Sequence, residues 1–545
     1  MGRSREAAWL TGLWVGLALS ASALAGPVDA QPALVEAPAA AAPAILSDAD
    51  LAPRVSLNDV APPDLPAIPP IAEAFAAEPA RTGSLTARAA EFPPEAAVVF
   101  TIEDLVRDAL EVRIADGKGL WPQRLPKADR EAVASFYLGR QHRPLWLSGE
   151  SWNAAGRGVI GRLELAGEDG LDPGEYPPPV IAPGVRNAAE LAEAELKLSA
   201  ASALYARDAR GGRLNPSRLS PLLTPKLEVP AADAVLARLA SASDPGAALQ
   251  AFNPRHEGYL ALKRKLAELR QSRPAATPMA RRQPRLELTT QAIALLDDAP
   301  VMRPAGPYAN PRLEGDLIAN MERWRWLPAS LGERHLFVNI PEFRLRLFEG
   351  ARAVHETRVI VGKTETPSPV FSGLMEYAVV NPSWHVPPSI LKKEFLPKLA
   401  IDPDYAARQG YEVVRRGNAI SVRQPPGERN ALGFVKFMFP NNHAVYLHDT
   451  PNRRLFSTGR RAYSHGCIRV ENPFLLADFV LGSEWTEARL KKLIGRGERT
   501  IFLPSKLPVH LGYFTLGVDT AGELRSFEDI YGHDRRVRHA LGLSG

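Results

Sequence analysis

The sequence contains a single cysteine, Cys467, and the residues around it are of the types that turn a thiol into a nucleophile. It lies in Tyr463-Ser464-His465-Gly466-Cys467-Ile468-Arg469-Val470. His465 and Arg469 each stand two positions from it, where a cationic group favours the thiolate. Gly466 lets a backbone approach a ligand closely. Upstream, Ala444-Val445-Tyr446-Leu447 reads as a short apolar strand that delivers His448 and Asp449 at its end. A thiol, an imidazole at a strand terminus and the backbone N–H groups around Gly466 and Cys467 are the nucleophile, base and oxyanion donors of a cysteine acyl-transfer enzyme. The competing reading is a small buried hydrophobe without chemistry.

Two other chemistries have residues in the same region. Ser389-Ile390-Leu391-Lys392 fits Ser-x-x-Lys, but no Ser-Asp-Asn follows and Lys363-Thr364 is followed by Glu365, so the companion elements of a serine acyl-enzyme are missing. His443, His448, His465 and Cys467 include zinc-ligand types, yet a single thiol and the lack of a helix-borne His pair argue against a metal site. The reading therefore expects neither metal nor cofactor.

His448 is followed by fifteen residues and then by Ser464-His465-Gly466-Cys467-Ile468-Arg469. This resembles the signature of the L,D-transpeptidase catalytic domain (YkuD type), in which a distant His precedes a Ser/Thr-His-Gly-Cys block. The likeness extends through 320–328, 359–363, 381–390 and 529–532, which are similar to the YcbB-like subgroup with an N-terminal scaffold domain. The resemblance implies that Cys467 is acylated by a peptidoglycan stem tetrapeptide, which loses its terminal D-alanine. The acyl group then passes to an amine of a neighbouring stem, making a cross-link between third residues. Water or a lipoprotein as acceptor are variants of the same site, and a non-catalytic envelope scaffold that binds peptidoglycan is the non-enzymatic alternative. By the same resemblance His448 is the partner of the thiol and the backbone carbonyl of Asp449 orients its ring. The Asp449 carboxylate is expected to add to that, so that Asp449→Ala slows acylation. His465 shapes the turn or contacts substrate. Arg469, standing where many members have Asn, either binds the loop or receives a substrate carboxylate, and Ser464 is a structural turn residue.

The elements that must position these residues follow from pattern. Arg3 and Arg5, an apolar run from Ala7 to Leu19 and Ala23-Leu24-Ala25 have the layout of a secretory signal over 1–25, with an uncleaved membrane tether as the alternative. Export to the periplasm is the expectation. Loss of Arg3, Arg5 and Glu6 with the signal takes the formal charge from +5 to +4. The charges are interspersed, which suits an anionic envelope polymer and gives no sign of nucleic-acid binding. Residues 26–96 are Ala/Pro-rich and read as a disordered, flexible linker. Apolar positions at helical spacing, such as Ile102, Leu105, Val106 and Leu110, predict an α-helical module over 97–270, which resembles the scaffold domain of the YcbB-like subgroup. A Pro/Arg-rich connector over 271–316 looks too short and polar for a peptidoglycan-binding module. Short alternating segments then predict a β-rich domain over 317–535, sandwich-like or rolled, which the resemblance identifies as the catalytic domain. A helical insertion at about 387–412 is a lid by the same resemblance and, on pattern alone, equally a packing element. The fold class is therefore α+β and multidomain.

Overall fold

The computed structural model describes residues 100–182, 184, 187–272, 311–417 and 419–543. The expected signal, the linker and nearly all of the connector lie outside the described residues.

The first half is helical, as the spacing predicts. Its opening helix, Ile102–Asp116, starts from a reciprocal cap: Asp104 N–H donates to Thr101 Oγ1 and Thr101 N–H to the Asp104 carboxylate. Val106 and Leu110 face inward while Leu105 points to solvent. The central helix, Ala188–Gly211, is buried nearly all round. Its many alanines let the helices 102–116, 127–139, 154–164 and 232–241 close in on it, so it serves as the core of this half.

The second half follows the helix Pro311–Trp324. Its strands are β1 (Arg334–Asn339), β2 (Arg344–Glu349), β3 (Arg352–Gly362), β4 (Phe371–Val380), β5 (Val435–Met438), β6 (Leu447–His448), β7 (Ala462–Ser464), β8 (Ile468–Val470) and β9 (Arg499–Gly512). They form one sheet in the order β7-β3-β8-β6-β5-β4-β9-β1-β2, and β2 also pairs with β3. That last pairing closes the sheet on itself. Of the two arrangements the strand pattern allows, the chain takes the rolled one, which leaves few open edges. β2 shows the cause locally: Leu345 and Leu347 point into the core while Arg344, Arg346 and Phe348 alternate outward.

The insertion between β4 and β5 is larger than the predicted lid. It holds the helical segments between Pro388 and Arg408, and also a small sheet in which Ala419–Gln424 pairs with both Trp384–His385 and Glu412–Arg416. Its own core is aromatic, with Phe395 and Trp384 each set edge-on to Tyr411. Leu391–Phe395 is a wide π turn in which the Leu396 N–H reaches back to Leu391 O. Pro397, which has no N–H to give, follows directly.

The halves are joined by buried polar groups. Arg325 Nη2 donates to Asp169 O at 2.5 Å and to Asn253 Oδ1 at 3.2 Å, and lies 3.0 Å from Tyr259 Oη. The Asp169 carboxylate is in turn held by Tyr205, Lys263 and Arg162.

Candidate active site

β6 and β8 run parallel, with Leu447 beside Ile468 and His448 beside Arg469. The Ile468 N–H donates to Tyr446 O at 3.1 Å. His448 and Arg469 share one face of the sheet as paired residues, and Cys467 is the residue that leads into β8. The pairing of β6 with β8 thus brings residues nineteen positions apart in the chain onto neighbouring segments.

The His448 ring is fully buried, and its Nδ1 lies 2.5 Å from Asp449 O. A carbonyl can only accept, so Nδ1 carries the proton and Nε2 is left with the lone pair of a base. The Tyr446 ring stands edge-on to the imidazole at 5.7 Å. Burial pushes the Asp449 carboxyl above the usual aspartate range, opposed by hydrogen bonds from Phe434 and Thr450 N–H and by the Arg453 guanidinium. Those partners stand at 2.9 Å, 2.7 Å and 2.9 Å. The carboxylate therefore pins the 433–434 and 450–453 segments, and it is the backbone oxygen of Asp449 that touches the imidazole. A methyl group on Gly433 would fall 2.4 Å from Asp449 Cγ, so only glycine fits there.

Cys467 is 5% exposed and sits one residue before β8. Its Sγ lies 3.9 Å from Ala444 O. Ala444 has φ +53°, a left-handed conformation uncommon for alanine, imposed by Asn441. The Asn441 side chain binds the N–H of His443 and of Val445 and also donates to the carbonyls of Phe439 and Val445. On the other flank, Ser464 Oγ donates to Cys467 O at 2.6 Å and accepts the Gly466 N–H at 3.0 Å. The Gly466 N–H is therefore engaged in closing the loop in this conformation, whereas the sequence assigns it to an oxyanion. Ser368 Oγ donates to Gly466 O at 2.6 Å, and Tyr531 Oη to Gly362 O at 2.5 Å. Thr366 Oγ1 and Lys363 N–H both donate to Ser464 O.

His465 Nε2 lies 3.1 Å from Glu394 Oε1, so the π turn of the insertion is fastened two residues from the thiol. Arg469 is buried and lies in β8 between Ile360 of β3 and His448 of β6. Its burial matches that of His448 and Cys467. His443 turns away from the thiol to pair with Thr224 at 2.6 Å.

Sequence reasoning missed Glu394, Ser368, Tyr531 and Asn441. Thr366-Pro367-Ser368-Pro369 does carry a turn signal, but nothing in it names Gly466 as a partner.

Residues 333–499 match the model of the L,D-transpeptidase catalytic domain, and residues 131–266 that of the Scaffold domain. The chain carries an L,D-transpeptidase catalytic domain behind a Scaffold domain. A Haemophilus influenzae protein provisionally described as an L,D-transpeptidase is 34% identical over 265 residues, 45% of this chain and 53% of that one. The chain thus spans about half the length of the curated relative it matches. An Enterococcus faecium L,D-transpeptidase in a cysteine-to-serine form is 14% identical over 34% of this chain and 51% of that one, with a TM-score of 0.15. An avibactam carbamoyl enzyme gives 14%, 34%, 50% and 0.16. Superpositions that poor carry no argument. Within the L,D-transpeptidase domain, the match encloses both His448 and Cys467 and the insertion that reaches them.

Proposed function

We propose that the protein is a peptidoglycan L,D-transpeptidase of the cell envelope, with Cys467 as nucleophile and His448 as base. The observation that carries this is the β6–β8 pairing, which lays the strand of His448 beside the one that Cys467 leads into, with His448 Nδ1 on Asp449 O. His448 Nε2 takes the thiol proton as sulfur attacks the carbonyl of the third stem residue, and gives it to the departing D-alanine amine. A thioester remains. The side-chain amine of a second stem then attacks that thioester with His448 again as base, forming the amide cross-link and releasing the thiol. The near-complete burial of Cys467 means that the site must open for a stem peptide to enter.

The test is to treat peptidoglycan with purified protein and with Cys467→Ala, then identify the muropeptides by mass. Cross-links between third residues made by the wild-type protein alone are expected. Their absence, together with no D-alanine release and no acyl-enzyme on Cys467, would overturn the proposal.

A further inference from the structure

Part of the Scaffold half is built into the transpeptidase half. Leu223, between the helices Pro216–Leu219 and Ala232–Ser241, is buried among the core side chains of the strand domain. It forms a parallel bridge with Val370: the Val370 N–H donates to Leu222 O at 2.8 Å and the Thr224 N–H to Val370 O at 3.0 Å.

From this bridge two short connections run to the two flanks of Cys467. The first passes along the backbone from Val370 to Ser368, whose Oγ donates to Gly466 O at 2.6 Å. The second passes through the Thr224 side chain, which pairs with His443 Nε2 at 2.6 Å. The His443 ring also rests on Phe371, 5.1 Å away, and its own N–H is taken by Asn441. The next residue is Ala444, left-handed, whose carbonyl faces the Cys467 sulfur.

We propose that Thr224 is a positioning residue of the transpeptidase site, by which the Scaffold domain sets the loop that presents Cys467. The inference rests on the proposed function for its meaning, though not for its geometry. Thr224 touches no reacting atom and acts through His443 and Ala444. Without its hydroxyl, the His443 ring keeps only the contact with Phe371 while its backbone stays on Asn441, and the Scaffold half loses its side-chain hold on the 441–445 segment whose Ala444 carbonyl faces the sulfur. The sulfur then samples positions away from the line to the scissile carbonyl. Misplacement on the scale of an ångström is sufficient to lower a rate by one to two orders of magnitude, about 10- to 100-fold.

The experiment compares full-length wild type, Thr224→Val and Thr224→Ser. Valine keeps the shape and removes the hydroxyl, whereas serine keeps the hydroxyl. Two quantities are read on each: the acylation rate with a stem tetrapeptide against substrate concentration, and the rate at which iodoacetamide alkylates Cys467. Cys467 is the only thiol in the chain, so whole-protein mass reports it without ambiguity. For Thr224→Val the expected result is a maximal acylation rate lower by roughly tenfold with half-saturation unchanged, an altered alkylation rate, and recovery of both in Thr224→Ser. Wild-type values of both in Thr224→Val, or a loss that serine does not restore, would overturn the inference. If the wild-type protein alkylates but never acylates, the proposed function fails; a changed alkylation rate in the valine variant, restored by serine, would still uphold the positioning role.

Discussion

Glu394 Oε1 stands 3.1 Å from His465 Nε2, and this one contact ties the insertion to the loop that bears the thiol. The other oxygen of Glu394 and the other nitrogen of His465 are buried without hydrogen-bond partners, so nothing else on these two side chains reinforces the closure. Glu394→Ala is expected to raise the rate of Cys467 alkylation several-fold while leaving the melting temperature within about 1 °C, because a partly exposed pair contributes only about 0–1 kcal/mol to folding. Alkylation rates followed by mass spectrometry check this; a rate equal to wild type would mean that the insertion is held shut by other contacts.

His448 Nδ1 donates to Asp449 O, so the proposed proton transfer falls to Nε2. Replacing His448 by Gln is expected to slow thioester formation by about 10²–10⁴-fold, the range typical for loss of a general base. Rapid-quench mass spectrometry of the acyl-enzyme gives the rate. A loss of less than about tenfold would assign the base elsewhere.

The carboxylate of Asp449 has a different task from its carbonyl. Asp449→Ala removes the acceptor for the Phe434 and Thr450 N–H groups and for Arg453. It is therefore expected to cost about 2–4 kcal/mol in urea unfolding, by leaving buried donors unsatisfied. Acylation per folded molecule should stay within about threefold of wild type, since the oxygen that orients His448 belongs to the backbone. A large drop per folded molecule with unchanged stability would restore the carboxylate to the catalytic group, as the sequence alone suggests.

Acid lability should come from three histidines: half-buried His256 ahead of the helix Glu257–Gln271, and buried His510 in β9 and His533 at the C-terminal helix. Burial lowers each from about 6.5 to about 4. In His510 the Nε2 is 2.9 Å from Leu331 O and must donate, while Nδ1 is 2.8 Å from Ser372 Oγ. The unfolded chain takes up these protons first as pH falls. Stability is thus complete above pH 6.5 and declines between about 6.5 and 4, by on the order of 3 kcal/mol per group. Glu195, raised to about 7 by burial in the helical half, works against this, because its protonated form is favoured in the fold as pH drops from 7 to 4.5. Urea midpoints from pH 8 to pH 4 should therefore fall in wild type and fall less in His510→Gln. Parallel curves for the two proteins would remove His510 from the explanation.

How far the sequence disclosed all this differs by element. Helices were legible from apolar spacing: Ile102, Val106 and Leu110 predict a helix that the structure places at Ile102–Asp116. The strands with alternating burial were legible for the same local reason, as in Arg344–Glu349. Closure of the sheet was not, because the β2–β3 pairing that seals it depends on which strands meet after all have curled. At the site, Cys467 and His448 could be read from residue type and spacing. Ser368, Tyr531, Asn441 and Glu394 could not, because a serine or glutamate that holds a distant carbonyl or imidazole looks in the sequence like any surface polar residue. Leu105 shows the same limit in reverse: its helical spacing is right, yet no neighbour covers it.

The buried meeting of Arg325 with Asp169, Asn253 and Tyr259 bears on how such chains can diverge. A guanidinium sealed between two lobes tolerates no casual exchange of partners, since each lobe supplies groups that only the other can satisfy. Grafting this helical lobe onto a relative's strand lobe would demand an arginine where Arg325 stands, and over descent the two lobes are bound to drift in step.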